Sequence, residues 1–225
     1  MNENKKAKKV VALLLCAVLL VVGSVTGTMA YLTSKATVTN TFAVGNVTIT
    51  LDETDVDNST QGDRDIANAY QLFPGHEYDK DPIVHVQPNS ENCYLFVKVE
   101  NGIEAIETAS SEGTIAAQLA NNHWKEITID NISPAGAKVY VYAVDTDAKT
   151  MVEKSASVID KTLFTKFKIA SDVVGGNKPN ADPSDTNKYL GDYAGATIAV
   201  TAYAVQADGF DTKTPAQIWT EAGFN

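Results

Sequence analysis

The sequence predicts a mainly β fold, a two-sheet antiparallel sandwich with two short peripheral helices. Three observations carry that reading. Apolar and polar residues alternate through nine short stretches rich in Val, Ile, Thr and aromatics. Gly, Pro, Asn and Asp separate those stretches at the spacing of turns. Helical periodicity occurs in only two places, with no G-x-G-x-x-G and no phosphate loop, which argues against a nucleotide-binding α/β architecture.

Taken in order, the first stretch is residues 36–44. Ala36, Val38, Phe42 and Val44 fall on one face, and Thr37, Thr39 and Thr41 on the other. After Gly45-Asn46 the phase reverses, with Val47, Ile49 and Leu51 apolar. A tight hairpin turn would keep Val44 and Val47 on one face, whereas a bulge at Gly45 would let one long strand change face. Both readings fit. Residues 52–67 are acidic and polar and read as a solvated loop. Short strands are expected at 70–73 and 81–86. The strongest is 93–99, where Cys93, Leu95, Val97 and Val99 oppose Tyr94, Phe96 and Lys98. Burying several such side chains at roughly 1.5–3 kcal/mol each makes this strand central and its register firm.

The period changes over 110–122, where Ile115, Ala116, Leu119 and Ala120 form a helical stripe with Ser110 or Ser111 as N-cap. Further strands are expected at 124–129, 138–144, 163–169 and 195–206, with a long Gly/Pro/Asn/Asp loop over 172–192. Thr214-Pro215-Ala216-Gln217 starts the second helix, with Thr as cap, Pro in the first turn and Gln three residues after the cap.

The N-terminus carries an export signal. Lys5, Lys6, Lys8 and Lys9 precede an uncharged run over 10–22, and Thr28-Met29-Ala30 supplies small residues at the −3 and −1 positions of a cut between Ala30 and Tyr31. The domains expected are a signal peptide over 1–30 and a single β-sandwich over 31–225. Contact with a membrane is expected only through the uncleaved leader. The whole chain holds 18 basic and 28 acidic residues; four lysines and one glutamate lie in the leader, so the remainder carries −13 against −10 for the whole. Such a surface repels nucleic acid and suits a soluble secreted protein. Cys16 lies in the leader, leaving Cys93 without an intramolecular partner. It reads as a buried small hydrophobe.

Three blocks of the sequence stand out. The first is Ala30-Tyr31-Leu32-Thr33 with Thr39-Asn40-Thr41-Phe42-Ala43-Val44-Gly45-Asn46-Val47. The second is Pro74-Gly75-His76-Glu77-Tyr78-Asp79-Lys80-Asp81-Pro82 with Ser90-Glu91-Asn92-Cys93-Tyr94-Leu95-Phe96-Val97-Lys98-Val99, and the third is Val200-Thr201-Ala202-Tyr203-Ala204-Val205-Gln206-Ala207. These blocks resemble the TasA/camelysin-like exported proteins of Gram-positive bacteria, and the resemblance implies a jelly-roll-like sandwich, release by a SipW-type signal peptidase, and a cell-surface or biofilm-matrix role. It further implies fibres built by donor-strand complementation, in which segment 31–44, carrying Ala36, Val38, Phe42 and Val44, adds a strand to the next subunit. An open sheet edge accepts such a segment through its unpaired backbone groups. Pairing of the segment within its own domain is the alternative that the hairpin reading allows. The expected partners are further copies of the chain or other matrix proteins.

Catalytic chemistry finds little support. His76-Glu77 begins like H-E-x-x-H, but Lys80 replaces the second His and Pro74-Gly75 breaks the required helix. His85 alternates with Val84 and Val86 and should face solvent; His123 lies at a strand edge. The acids Asp52, Glu53, Asp55, Asp57, Asp63 and Asp65 suggest calcium, yet Thr60 occupies the glycine position of a calcium loop and Ile66 the closing acid. They read as a solvated acidic loop. No G-x-S-x-G occurs. The expectation is a non-enzymatic protein with no catalytic, cofactor-binding or metal-binding residues. Alternatives are a monomeric secreted binding module, with Tyr70, Tyr78 and Trp124 as aromatic candidates, and a camelysin-like metalloendopeptidase.

Overall fold

In a computed structural model of the protein, the described residues are 46–178 and 185–224. The leader with its Ala30/Tyr31 cut, the segment carrying Ala36, Val38, Phe42 and Val44, and Gly45 lie outside them. The described residues belong to one unit.

The expected antiparallel, mainly β fold is what forms. Strands β1 (Ile49–Thr54), β2 (Arg64–Asp65), β4 (Ile83–Val86) and β9 (Ile159–Thr162) make one sheet in the order β2-β1-β4-β9. A second contains β11 (Ile198–Gln206), β5 (Cys93–Asn101), β8 (Lys138–Tyr142) and β7 (Trp124–Ile127), in that order. A third, β3-β10-β6, joins Glu77–Asp79, Lys166–Ile169 and Glu107–Thr108. It prolongs the first sheet across a break at Pro82. The Lys80 amide donates to Thr165 O at 2.9 Å and the Leu163 amide to Pro82 O at 3.0 Å, so the chain pairs continuously from β4–β9 to β3–β10. Pro82 has no N–H to give the ladder.

The expectation for β5 holds. Leu95 and Val97 pack with Val84 and Val86 of β4 and with Trp124, Leu163 and Phe167. This layer joins the sheets face to face. Tyr94 and Phe96, on the other side of β5, pack with Val139, Val141, Ile218 and Trp219. Helix α2 (Pro215–Glu221) covers that second face. Thr214 forms the expected capping box with Gln217, and Pro215 lies in the first turn. Cys93 is fully buried, and burial pushes its thiol up to about 11.

Several boundaries differ from expectation. Helix α1 (Ile115–Asn121) is capped by Thr114, which accepts from the Ala117 amide, rather than by Ser110 or Ser111. Those serines are engaged elsewhere: Ser110 closes a turn on Gly113 (φ +101°), and Ser111 gives its amide and hydroxyl to Glu77. Residues 70–73 are not a strand. Ile159–Thr162 and Lys166–Ile169 form separate strands where a single strand over 163–169 was expected. The 172–192 loop is crossed by a parallel bridge between Val174 and Tyr189.

Candidate functional site

β1 continues beyond the expected residue 51 to Thr54, and its inward positions are Ile49, Leu51 and Glu53. The period of two thus carries an acid into the interior, so Glu53 is not part of a solvated loop. Its partner is Lys80, in the crossing between β3 and β4, at 2.5 Å. Both are buried, with 5% and 8% of their surface exposed.

This ion pair lines a cleft of about 860 Å³. One wall is Leu51 and the segment 66–72, including Tyr70 and Leu72. The opposite wall is Leu190 and the run 193–200, which enters β11. Ile103 and Phe167 also line it. Aromatic contacts stiffen the first wall: Phe167 stacks on Tyr78 at 4.9 Å between centroids and meets Tyr70 edge-on at 5.3 Å. The Tyr70 hydroxyl donates to Asp79 O at 3.0 Å. Burial, with help from nearby carboxylates, Glu53 foremost, raises its pKa.

β11 forms the edge of its sheet. All nine of its residues pair with β5 on one side, and among the described residues no strand pairs with the other side. Its side chains are half-buried over most of its length, and Val200, Ala202 and Ala204 bring small apolar groups to that edge. A long, weakly charged edge of this kind is a template for another strand.

Polar side chains brace the outside of β1. Arg64, the chain's only arginine, donates from Nε to Asp52, from Nη1 to Asp81 at 3.1 Å, and from Nη2 to the carbonyls of Asp52 and Asp81 at 3.1 and 3.2 Å. Its planar fork suits four acceptors at once. Burial works against ionisation of Asp52 and Asp81, but hydrogen bonds outweigh it and hold both carboxyls below the ordinary range.

His85 does not simply face solvent. It lies opposite Val84 and Val86, yet its Nδ1 is 2.6 Å from Asp160 of β9 and its Nε2 is 3.1 Å from Asp52 of β1. Burial lowers its pKa, and the two carboxylates overcome that and raise it above the ordinary value. The raised value means that the bridge contributes fully below about pH 6.5, the unfolded value, and is lost as pH rises through the folded value. The urea midpoint of the native protein should therefore fall as pH is raised beyond about 6.5, and that dependence should shrink in His85→Gln. Parallel midpoint–pH curves for the two proteins would refute this assignment.

The remaining candidates are placed as follows. His76 sits after the turn at Gly75 (φ +77°), its amide bonded to Phe73 O, and His123 is exposed with φ +66°. Trp124 is only 1% exposed and Tyr78 is held by Gln71 and Phe73, so Tyr70, Tyr78 and Trp124 do not form a joint binding surface. Asp55, Asp57 and Asp65 bring carboxylate oxygens within 4.8 Å of one another, but donors of their own loop already occupy them. Asp55 accepts from Ser59 and Thr60, Asp57 from Ser59 and Ala69, and Asp65 from Ser59 and Ala67.

What the fold and site define is a β-sandwich in which the β11 edge, unpaired by any strand among the described residues, borders a mainly apolar cleft. Comparison with protein-family models, curated proteins and solved structures finds no match.

Proposed function

We propose that this chain is a structural subunit of an exported surface or matrix assembly, in which segment 31–44 of one copy lies along the cleft and the outer edge of β11 in the next. The observation that carries the reading is that edge beside its apolar cleft. An added strand would gain backbone hydrogen bonds along the edge and bury alternate side chains in the cleft. The segment suits the place, with Ala36, Val38, Phe42 and Val44 on one face. Charge favours it as well: residues 31–44 hold Lys35 and no acid, while the rest of the exported chain is strongly acidic. Release from the leader by a SipW-type signal peptidase would set the segment free outside the cell. The function requires no cofactor and no nucleic acid.

Protein beginning at Tyr31 is expected to form filaments, seen by negative-stain microscopy and pelleted by ultracentrifugation. The same chain carrying Val38→Asp and Phe42→Asp should remain monomeric, because two charges would enter an apolar cleft. Absence of filaments from both would overturn the reading.

A further inference from the structure

The cleft is lined mainly by apolar side chains, with Asp52, Asn68, Gln71 and Thr197 also on its lining, and it contains one buried ion pair that an added strand must accommodate. Lys80 and Glu53 line it, and both are nearly inaccessible to solvent. Among the described residues, their side chains make a single hydrogen bond, from Lys80 Nζ to Glu53 Oε2. An ammonium has three protons to donate and a carboxylate about four lone-pair sites, so most of the pair's capacity is unused. A strand laid over the cleft with an aliphatic side chain at this point would remove the remaining water and supply no partner. Desolvating an ion pair without additional hydrogen bonds is unfavourable.

The segment assigned above to the cleft has one residue that answers this need. On the face formed by its even positions the sequence reads Leu32, Ser34, Ala36, Val38, Asn40, Phe42, Val44. Over positions 36–44, where the apolar set lies, Asn40 is the single polar side chain on that face and stands at its centre. A carboxamide donates through its NH₂ and accepts through its carbonyl, so it can serve Glu53 and Lys80 together.

We propose that Asn40 of the incoming segment seats on the Lys80–Glu53 pair and thereby sets the register of assembly; this rests on the reading of the cleft as a strand acceptor. A slip by one residue turns Thr39 and Thr41 inward and the apolar set outward. A slip by two places Val38 or Phe42 over the pair and carries Asn40 away from it. Both are penalised, so one alignment is selected. A buried polar residue specifies alignment in this way between paired helices too, at some expense of stability.

The test uses the exported chain beginning at Tyr31 and the concentration at which filaments first pellet. Asn40→Leu should raise that concentration roughly tenfold or more, because the covered pair is left without partners. Thr41→Leu, on the opposite face, should change it by less than about twofold. Both positions are remote in sequence from Glu53 and Lys80 and lie outside the described residues. Adding Glu53→Leu and Lys80→Met, with circular dichroism to confirm the fold, should restore assembly to Asn40→Leu. If the native chain forms no filaments, the assembly reading itself fails. If it does, and Asn40→Leu assembles as readily, the assembly reading stands and the role of Asn40 is overturned.

Discussion

Replacing Lys80 by Met is expected to destabilise the protein by about 3–5 kcal/mol, the loss typical when one member of a buried ion pair is removed. Glu53 would then stay buried, with 5% exposure and without its one hydrogen-bond donor. Lys80 also stands where the chain crosses from β3 to β4, so the strain falls on the junction between the two parts of that sheet. The companion experiment separates charge from shape. Replacing both partners, Glu53→Leu with Lys80→Met, should return most of the loss, because no isolated charge is left behind. Urea denaturation of the three proteins at neutral pH measures both effects. A Lys80→Met protein within about 0.5 kcal/mol of native stability, the range of an ordinary surface change, would show that the pair is solvated.

Phe96→Ala should have an effect of similar size, about 3–5 kcal/mol, as expected for truncating a fully buried aromatic. Phe96 has no exposed surface and meets Trp219 and Phe224 edge-on, each at 5.9 Å between ring centroids. It thus joins the outer face of β5 to the C-terminal helix. Truncation should also release α2 early, which hydrogen exchange would report as faster exchange at the amides of Ile218 and Ala222, both bonded within that helix. An unchanged exchange rate there would show that α2 is held without Phe96. Glu100→Ala, at a half-exposed position of the same strand, provides the contrast and should shift stability by less than about 0.5 kcal/mol.

Much of the fold was legible where the signal was local and repeated. The alternation through β5 marked both its central position and which side chains share a face, since a strand of nine residues repeats the pattern several times. The capping box of α2 was legible because all its partners lie within four residues of one another. Several of the short strands were not. β3, β6 and β9 have three, two and four residues, too few to establish a period, and they are strands because partners lie beside them. The cap of α1 was misplaced for a related reason: Ser111 is drawn to Glu77, 34 positions earlier in the chain, and no local pattern announces that contact.

The candidate site shows the same division more sharply. Glu53 looked like one acid in an acidic run, although extending the alternation of Ile49 and Leu51 by one step would have placed it inward. His85 fell on the expected side of its strand, but Asp52 and Asp160 reach it from 33 and 75 positions away. The amino-acid sequence by itself determined the strand periodicity, the class of fold, the start of α2 and the burial of Cys93, because each depends on neighbours within a few residues. Only the tertiary structure decided that Lys80 meets Glu53, that carboxylates embrace His85, and that β11 borders a cleft. Those outcomes depend on which distant segments are brought together when the sheets close, and pairing between distant segments leaves no periodic trace in either one.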